Sequence, residues 1–194
     1  YRREMRQTSN FKSIMVVASP NVQQNFKLQL FDERKLDLID GLWTYDGNKD
    51  NAFIRQINPM GIKGITKEKM ISQIKSIIRS SYTFVGYRKF AKLIEDIETK
   101  STINDKIKKN IFKNIIETEF NDRLIIIDEI HNIKKTEGND ESSRRVSKNL
   151  LKVIKNSNNM RLLLLSATPM YNDYKEIIFM LNMMNLNDGR DELY

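Results

Sequence analysis

The sequence predicts an α/β fold in which helices cover both faces of a mostly parallel sheet. Two runs, residues 123–127 (RLIII) and 161–165 (RLLLL), are apolar without polar alternation, the pattern of strands buried on both faces. Short apolar strands alternate along the chain with stripes of helical period. Two acids, Asp128 and Glu129, directly follow the first run, and in such sheets ligands bind beyond the carboxyl ends of strands.

The elements follow in order. Residues 13–18 (SIMVVA) read as a short buried strand ended by Ser19-Pro20. A helix follows, with Asn21 and Gln24 at capping-box spacing and Val22, Phe26 and Leu30 as its apolar stripe. Residues 41–64 break the pattern and are expected to form a surface insertion. Asp46-Gly47-Asn48 signals a turn there, which would pair residues 42–45 (LWTY) with residues 52–54 (AFI) as a hairpin. Asn58-Pro59, Gly61 and Gly64 mark irregular chain.

A helix is expected over residues 66–80, with Met70, Ile71, Ile74, Ile77 and Ile78 on one face. Residues 82–85 (YTFV) form a strand stopped by Gly86. Phe90, Leu93, Ile94 and Ile97 stripe the next helix. Thr102 and Asp105 would box the start of another, carrying Ile107, Ile111, Ile115 and Ile116. After the strand at 123–127, residues 132–142 read as a charged loop. A helix with Val146, Leu150, Val153 and Ile154 inward leads to the strand at 161–165. Asp173 and Glu176 would cap a last helix through Ile177, Met180 and Leu181.

Composition bounds the function. The 194 residues contain no cysteine and one histidine, His131, which excludes disulfides, thiolate metal sites and multi-histidine centres. The lack of cysteine makes an intracellular location the expectation, and since no apolar run approaches the roughly 20 residues that span a bilayer and no signal peptide is evident, no membrane partner is expected. Lys and Arg total 33 against 25 Asp and Glu, a net charge of +8 that favours polyanionic partners. Basic residues recur at Arg144, Arg145, Lys148 and Lys152, at Lys106, Lys108, Lys109 and Lys113, and at Lys134 and Lys135. For the two helical clusters a solvated helix face is the favoured reading, and the third is equally open.

Three strand ends carry the candidate chemistry. Uncompensated carboxylates are costly at a buried sheet's rim, so Asp128 and Glu129 suggest a divalent cation. Mg²⁺ suits one or two carboxylates plus water and phosphate oxygens. The second acid could then polarise an attacking water. Ser166-Ala167-Thr168-Pro169 follows the strand at 161–165, and Ser19-Pro20-Asn21 follows the first strand, where a helix start could hold a phosphate. Taken singly, each also reads as a plain loop, turn or cap.

Taken together they resemble superfamily 2 nucleic-acid helicases. Asp128-Glu129-Ile130-His131 resembles motif II and Ser166-Ala167-Thr168 motif III, in the right order and with one helix between. Ala18-Ser19-Pro20-Asn21 resembles motif Ia, and Val85-Gly86-Tyr87 falls where a further backbone-contacting loop would lie. The resemblance implies that residues 1–194 are part of a RecA-like first motor lobe, using ATP and Mg²⁺. Asp128 would hold the metal, and Glu129 would orient and deprotonate the water. His131 would sense the γ-phosphate, and Ser166, Ala167 and Thr168 would couple nucleotide state to nucleic-acid grip. Ser19, Pro20, Asn21, Gly86 and Tyr87 would touch the DNA or RNA backbone, and a second RecA-like lobe would be the intramolecular partner.

Residues 16–31 (VVASPNVQQNFKLQLF), Ile57-Asn58-Pro59-Met60, Phe84-Val85-Gly86-Tyr87 and residues 128–133 (DEIHNI) also look like the transcription helicases of large nucleocytoplasmic DNA viruses, which are related to Swi/Snf translocases. That narrower likeness implies a role beside transcription machinery, in host cytoplasm or virion. One departure stands out: the loop G-x-x-x-x-G-K-[ST] that cradles phosphates is absent. The lobe is therefore expected to lack its P-loop strand and helix, with residues 1–10 resembling the tail of that helix, and to hydrolyse little ATP alone. The rivals are a lobe that binds nucleic acid or a partner without turnover, and the motor of a cellular restriction or repair translocase.

Overall fold

The computed structural model describes residues 12–100, 105–133, 141–170 and 174–193, without the side chains of residues 105–108, 142 and 143. In chain order the strands are β1 (Ile14–Val17), β2 (Leu36–Ile39), β3 (Leu42–Tyr45), β4 (Tyr82–Val85), β5 (Leu124–Ile127) and β6 (Arg161–Leu164). The helices are α1 (Pro20–Leu30), α2 (Ala52–Ile57), α3 (Lys67–Ser81), α4 (Tyr87–Lys100), α5 (Asp105–Phe120), α6 (Glu141–Asn156) and α7 (Lys175–Asn187). The chain divides into two compact units, one of Tyr1–Pro20 with Thr83–Tyr194 and one of Asn21–Tyr82.

The larger unit is built on a four-stranded sheet of order β4-β1-β5-β6. β5 runs parallel to both neighbours, with Val17 opposite Ile127 and Ile127 opposite Leu164. At the outer side of β1, the Ser13 and Thr83 hydroxyls lie 3.0 Å apart and the Ala18 N–H donates to the Val85 carbonyl, so β4 follows the same direction. Helices flank this sheet, as expected of a RecA-like α/β lobe. α6 packs on α4, α5 and α7, and α7 on β6.

The apolar stripes explain this packing. Phe90, Ala91, Ile94 and Ile97 of α4 and Val146, Leu150, Val153 and Ile154 of α6 are buried in one cluster with Ile125 and Ile127. Phe90 meets Phe120 edge-on at 6.3 Å. Each fully buried side chain of this size contributes about 1.5–3 kcal/mol relative to exposure.

Three expectations are corrected in this unit. The run at 161–165 is not buried on both faces: Leu162 and Leu164 pack on the core, whereas Leu163 and Leu165 are 44% and 38% exposed. β6 ends the described sheet, and alternation sends every second side chain outward. In α7, Met183 is buried while Leu181 is exposed. That helix starts after Tyr174, with no side-chain cap, and Asp173 lies outside the described residues, as does Thr102. Residues 130–133 form a short 3₁₀ turn rather than open loop.

The smaller unit has its own core of Phe31, Leu36, Trp43, Phe53, Ile54, Met70 and Ile74. Its hairpin pairs β2 with β3, so the expected pairing of 42–45 with 52–54 is wrong. Asp40 and Gly41 both take positive φ, 53° and 79°, which suits a two-residue reversal. Asp46-Gly47 does turn the chain, but Asn51 then caps α2, its side chain accepting from the Phe53 N–H at 2.9 Å. Phe53 and Ile54 are buried as helix residues. Thr66 caps α3, its side chain accepting from the Lys69 N–H, and the expected Met70 and Ile74 face inward. α1 begins at Pro20 rather than after an Asn21 cap, since proline suits the first helical position.

Candidate active site

β5 is a central strand, with β1 on one side and β6 on the other. Its ladder continues past the strand: the Asp128 N–H donates to the Val17 carbonyl at 3.1 Å, and the Ile130 N–H to the Leu165 carbonyl at 3.0 Å. Between these two anchors Glu129 adopts φ 48°, the left-handed region that non-glycine residues rarely enter. That reversal ends the strand and starts the 3₁₀ turn. Ile130 and Ile133 are buried and pin the turn to the core.

This arrangement leaves the polar side chains at the carboxyl end of the sheet. His131 is 23% exposed at its side chain, and its Nδ1 lies 2.9 Å from Ser166 Oγ and 3.1 Å from Glu129 Oε2. Ser166 Oγ also accepts from the Thr168 N–H at 3.2 Å. The imidazole therefore stands between the turn after β5 and the turn after β6. As the δ-tautomer or imidazolium its Nδ1–H donates to Ser166 Oγ, and as the other tautomer Nδ1 accepts a hydrogen bond from the Ser166 hydroxyl.

Glu129 Oε2 is itself buried and accepts no hydrogen bond, although 40% of the side chain's surface is exposed. The His131 nitrogen is near enough for attraction but is directed to Ser166. A buried carboxylate oxygen with an open lone pair is poised for a further donor, such as a water. Among the described residues no group of three or more Asp, Glu, His or Cys side chains is placed to hold a metal. The donor set fits Mg²⁺, which takes few protein carboxylates and completes its shell with water and phosphate oxygens. It does not fit a zinc centre, which needs at least three protein ligands.

Tyr87, the first residue of α4, reaches the same turn. Its hydroxyl donates to the Asp128 carbonyl oxygen at 2.6 Å. Burial first, and then the charges of Asp128 and Glu129, push its pKa from 10.0 up to about 12. The phenol therefore stays protonated across the physiological range. Sequence reasoning placed Tyr87 at a strand end but missed this bond, because nothing in the chain signals a partner 41 residues away.

The predicted site residues thus fall into groups. Glu129, His131 and Ser166 converge, Thr168 is tied to them through Ser166, and Asp128 joins the same turn through its backbone. Ala167 lies exposed between these two. Ser19 and Pro20 follow β1, with Asn21 next in α1, and Gly86 and Tyr87 follow β4.

The basic helix face of α6 is partly committed to ion pairs. Arg145 forms a two-pronged pair with Glu95, which it holds below the usual carboxylate range, and Lys152 pairs with Glu98 at 2.6 Å. Lys113 pairs weakly with Glu117 at 3.8 Å. Lys134 and Lys135, and the side chains of Lys106 and Lys108, lie outside the described residues. Among the described residues no helix is long and apolar enough to cross a membrane.

Comparison with known proteins gives one family match. Residues 68–185 match the model of the ATPase family associated with various cellular activities (AAA). That span holds β4 to β6 and the strand-end residues from Gly86 to Thr168. No curated protein and no solved structure matches the chain.

Proposed function

Because the chain belongs to the ATPase family associated with various cellular activities, we propose that the turn after β5 is the hydrolytic centre of an ATP-driven nucleic-acid motor. The observation that carries this reading is the meeting of Glu129 and His131 with Ser166 at the carboxyl ends of adjacent parallel strands, with Asp128 directly before Glu129. Glu129 takes the role of general base. It accepts a proton from a water whose oxygen attacks the γ-phosphorus in line, while the bond from that phosphorus to the bridging oxygen breaks and ADP leaves. Asp128 is the residue that would hold Mg²⁺, which when bound neutralises charge on the phosphate oxygens.

His131 and Ser166 connect the two turns, so a change at the phosphates can reach the turn after β6. In the superfamily 2 reading, that coupling serves movement along DNA or RNA. Ser19, Pro20, Asn21, Gly86 and Tyr87 contact the backbone rather than bases, and little sequence preference is expected. Transcription in a large DNA virus is the narrower form of the same proposal.

The 194 residues contain no G-x-x-x-x-G-K-[ST] loop, so in this reading the phosphate cradle comes from outside them. That absence also favours a second reading, a lobe that binds nucleic acid or a partner without turnover. ATP turnover by the protein carrying these residues, measured with and without DNA or RNA, separates the readings. Turnover stimulated by nucleic acid is expected. Turnover without stimulation overturns the motor, and binding without turnover leaves the second reading.

A further inference from the structure

We propose that Tyr87 is a positioning residue for the hydrolytic acid: its hydroxyl fixes the peptide between Asp128 and Glu129, and with it the direction in which the Glu129 carboxylate leaves the sheet. The inference rests on the ATPase reading above and assigns the Tyr87 side chain a use other than nucleic-acid contact.

The Asp128 carbonyl that accepts from Tyr87 at 2.6 Å belongs to the same rigid planar unit as the Glu129 N–H. Turning that unit changes the φ of Glu129, which stands at 48°. A glutamate keeps such a conformation only where its surroundings over-determine it. The flanking amides are already anchored, Asp128 N–H on β1 and Ile130 N–H on the turn after β6. The peptide between them is the remaining freedom, and Tyr87 removes it.

The donor is well supported. Tyr87 opens α4, whose next turn is anchored by the fully buried Phe90 and Ala91, and its ring packs half-buried against the main core. The hydroxyl thus connects the end of β4 to the turn after β5. With the bonds to Val17, Leu165 and Ser166, that turn is tied to the ends of β1, β4 and β6. A ligand that shifts the Gly86-Tyr87 loop would shift the Glu129 peptide with it.

Tyr87→Phe keeps the ring and removes only the donor. In the protein that carries out the hydrolysis, kcat is expected to fall about three- to tenfold, the worth of one hydrogen bond, with KM for ATP unchanged. Amide hydrogen exchange at Glu129 should quicken while exchange at core amides such as Leu150 does not, a readout independent of activity and of global folding. The variant paired with Glu129→Gln should be no slower than Glu129→Gln alone. Wild-type kcat in Tyr87→Phe, or unchanged exchange at Glu129, overturns the proposal if Glu129→Gln itself is inactive. Should Glu129→Gln retain full turnover, it is the ATPase reading that fails.

Discussion

The His131 Nδ1 lies 2.9 Å from the Ser166 hydroxyl oxygen, joining residues that sit 35 positions apart in the chain. The contact exists because β5 and β6 are parallel neighbours in register, so their ends emerge side by side. It places the imidazole ring between an acid and a hydroxyl.

If these residues act as one relay, their removal is not additive. His131→Ala and Ser166→Ala should each lower ATP turnover by about tenfold, and the double variant should be little worse than either, since contacting residues couple. Steady-state kinetics on the three variants decide it. Multiplicative losses would mean that the two side chains act separately.

Tyr87 carries a pH signature. Its pKa is raised from 10.0 to about 12 in the folded state, so the neutral phenol is favoured there. Its contribution to stability is fully present below pH 10 and is lost as the pH rises toward about 12. Chemical denaturation of wild type and Tyr87→Phe across this window should show their stability difference constant below pH 10 and shifting against wild type above it. Other groups, including the facing Asp128 and Glu129, are shared by both proteins and cancel.

Packing predicts a contrast between two leucines. Leu150 is fully buried in α6, so Leu150→Ala should cost about 2–5 kcal/mol. Leu163 is 44% exposed on β6, and Leu163→Thr should fall within about 0.5 kcal/mol. Urea unfolding of the two variants checks this.

These leucines also mark where sequence reading succeeds and fails. The stripe of α6 gives its buried face directly, because helical period alone selects Val146, Leu150, Val153 and Ile154. The run at 161–165 misleads, because an edge strand and a central strand can carry the same residues and only neighbours distinguish them. The hairpin misleads for a related reason: Asp40-Gly41 and Asp46-Gly47 are both turn signals, and cross-strand pairing selects the first. In the site, Asp128, Glu129, His131 and Ser166 were legible as strand ends of an α/β sheet. The Tyr87 bond and the left-handed Glu129 were not, since both arise from packing between distant segments.

The basic residues of α6 allow a further test. Arg145 and Lys152 are paired with Glu95 and Glu98, so replacing both by Gln should leave the salt dependence of nucleic-acid binding unchanged. A shallower slope of log affinity against log salt in the variant would show that these cations meet phosphates instead.

In the proposed reaction Glu129 takes the proton of the attacking water. Glu129→Gln keeps the size of the side chain and removes its basicity. In the protein that joins these residues to a phosphate-binding loop, single-turnover ATP hydrolysis should fall about a hundredfold or more while ATP binding persists. Hydrolysis at the wild-type rate in Glu129→Gln would show that Glu129 is not the base.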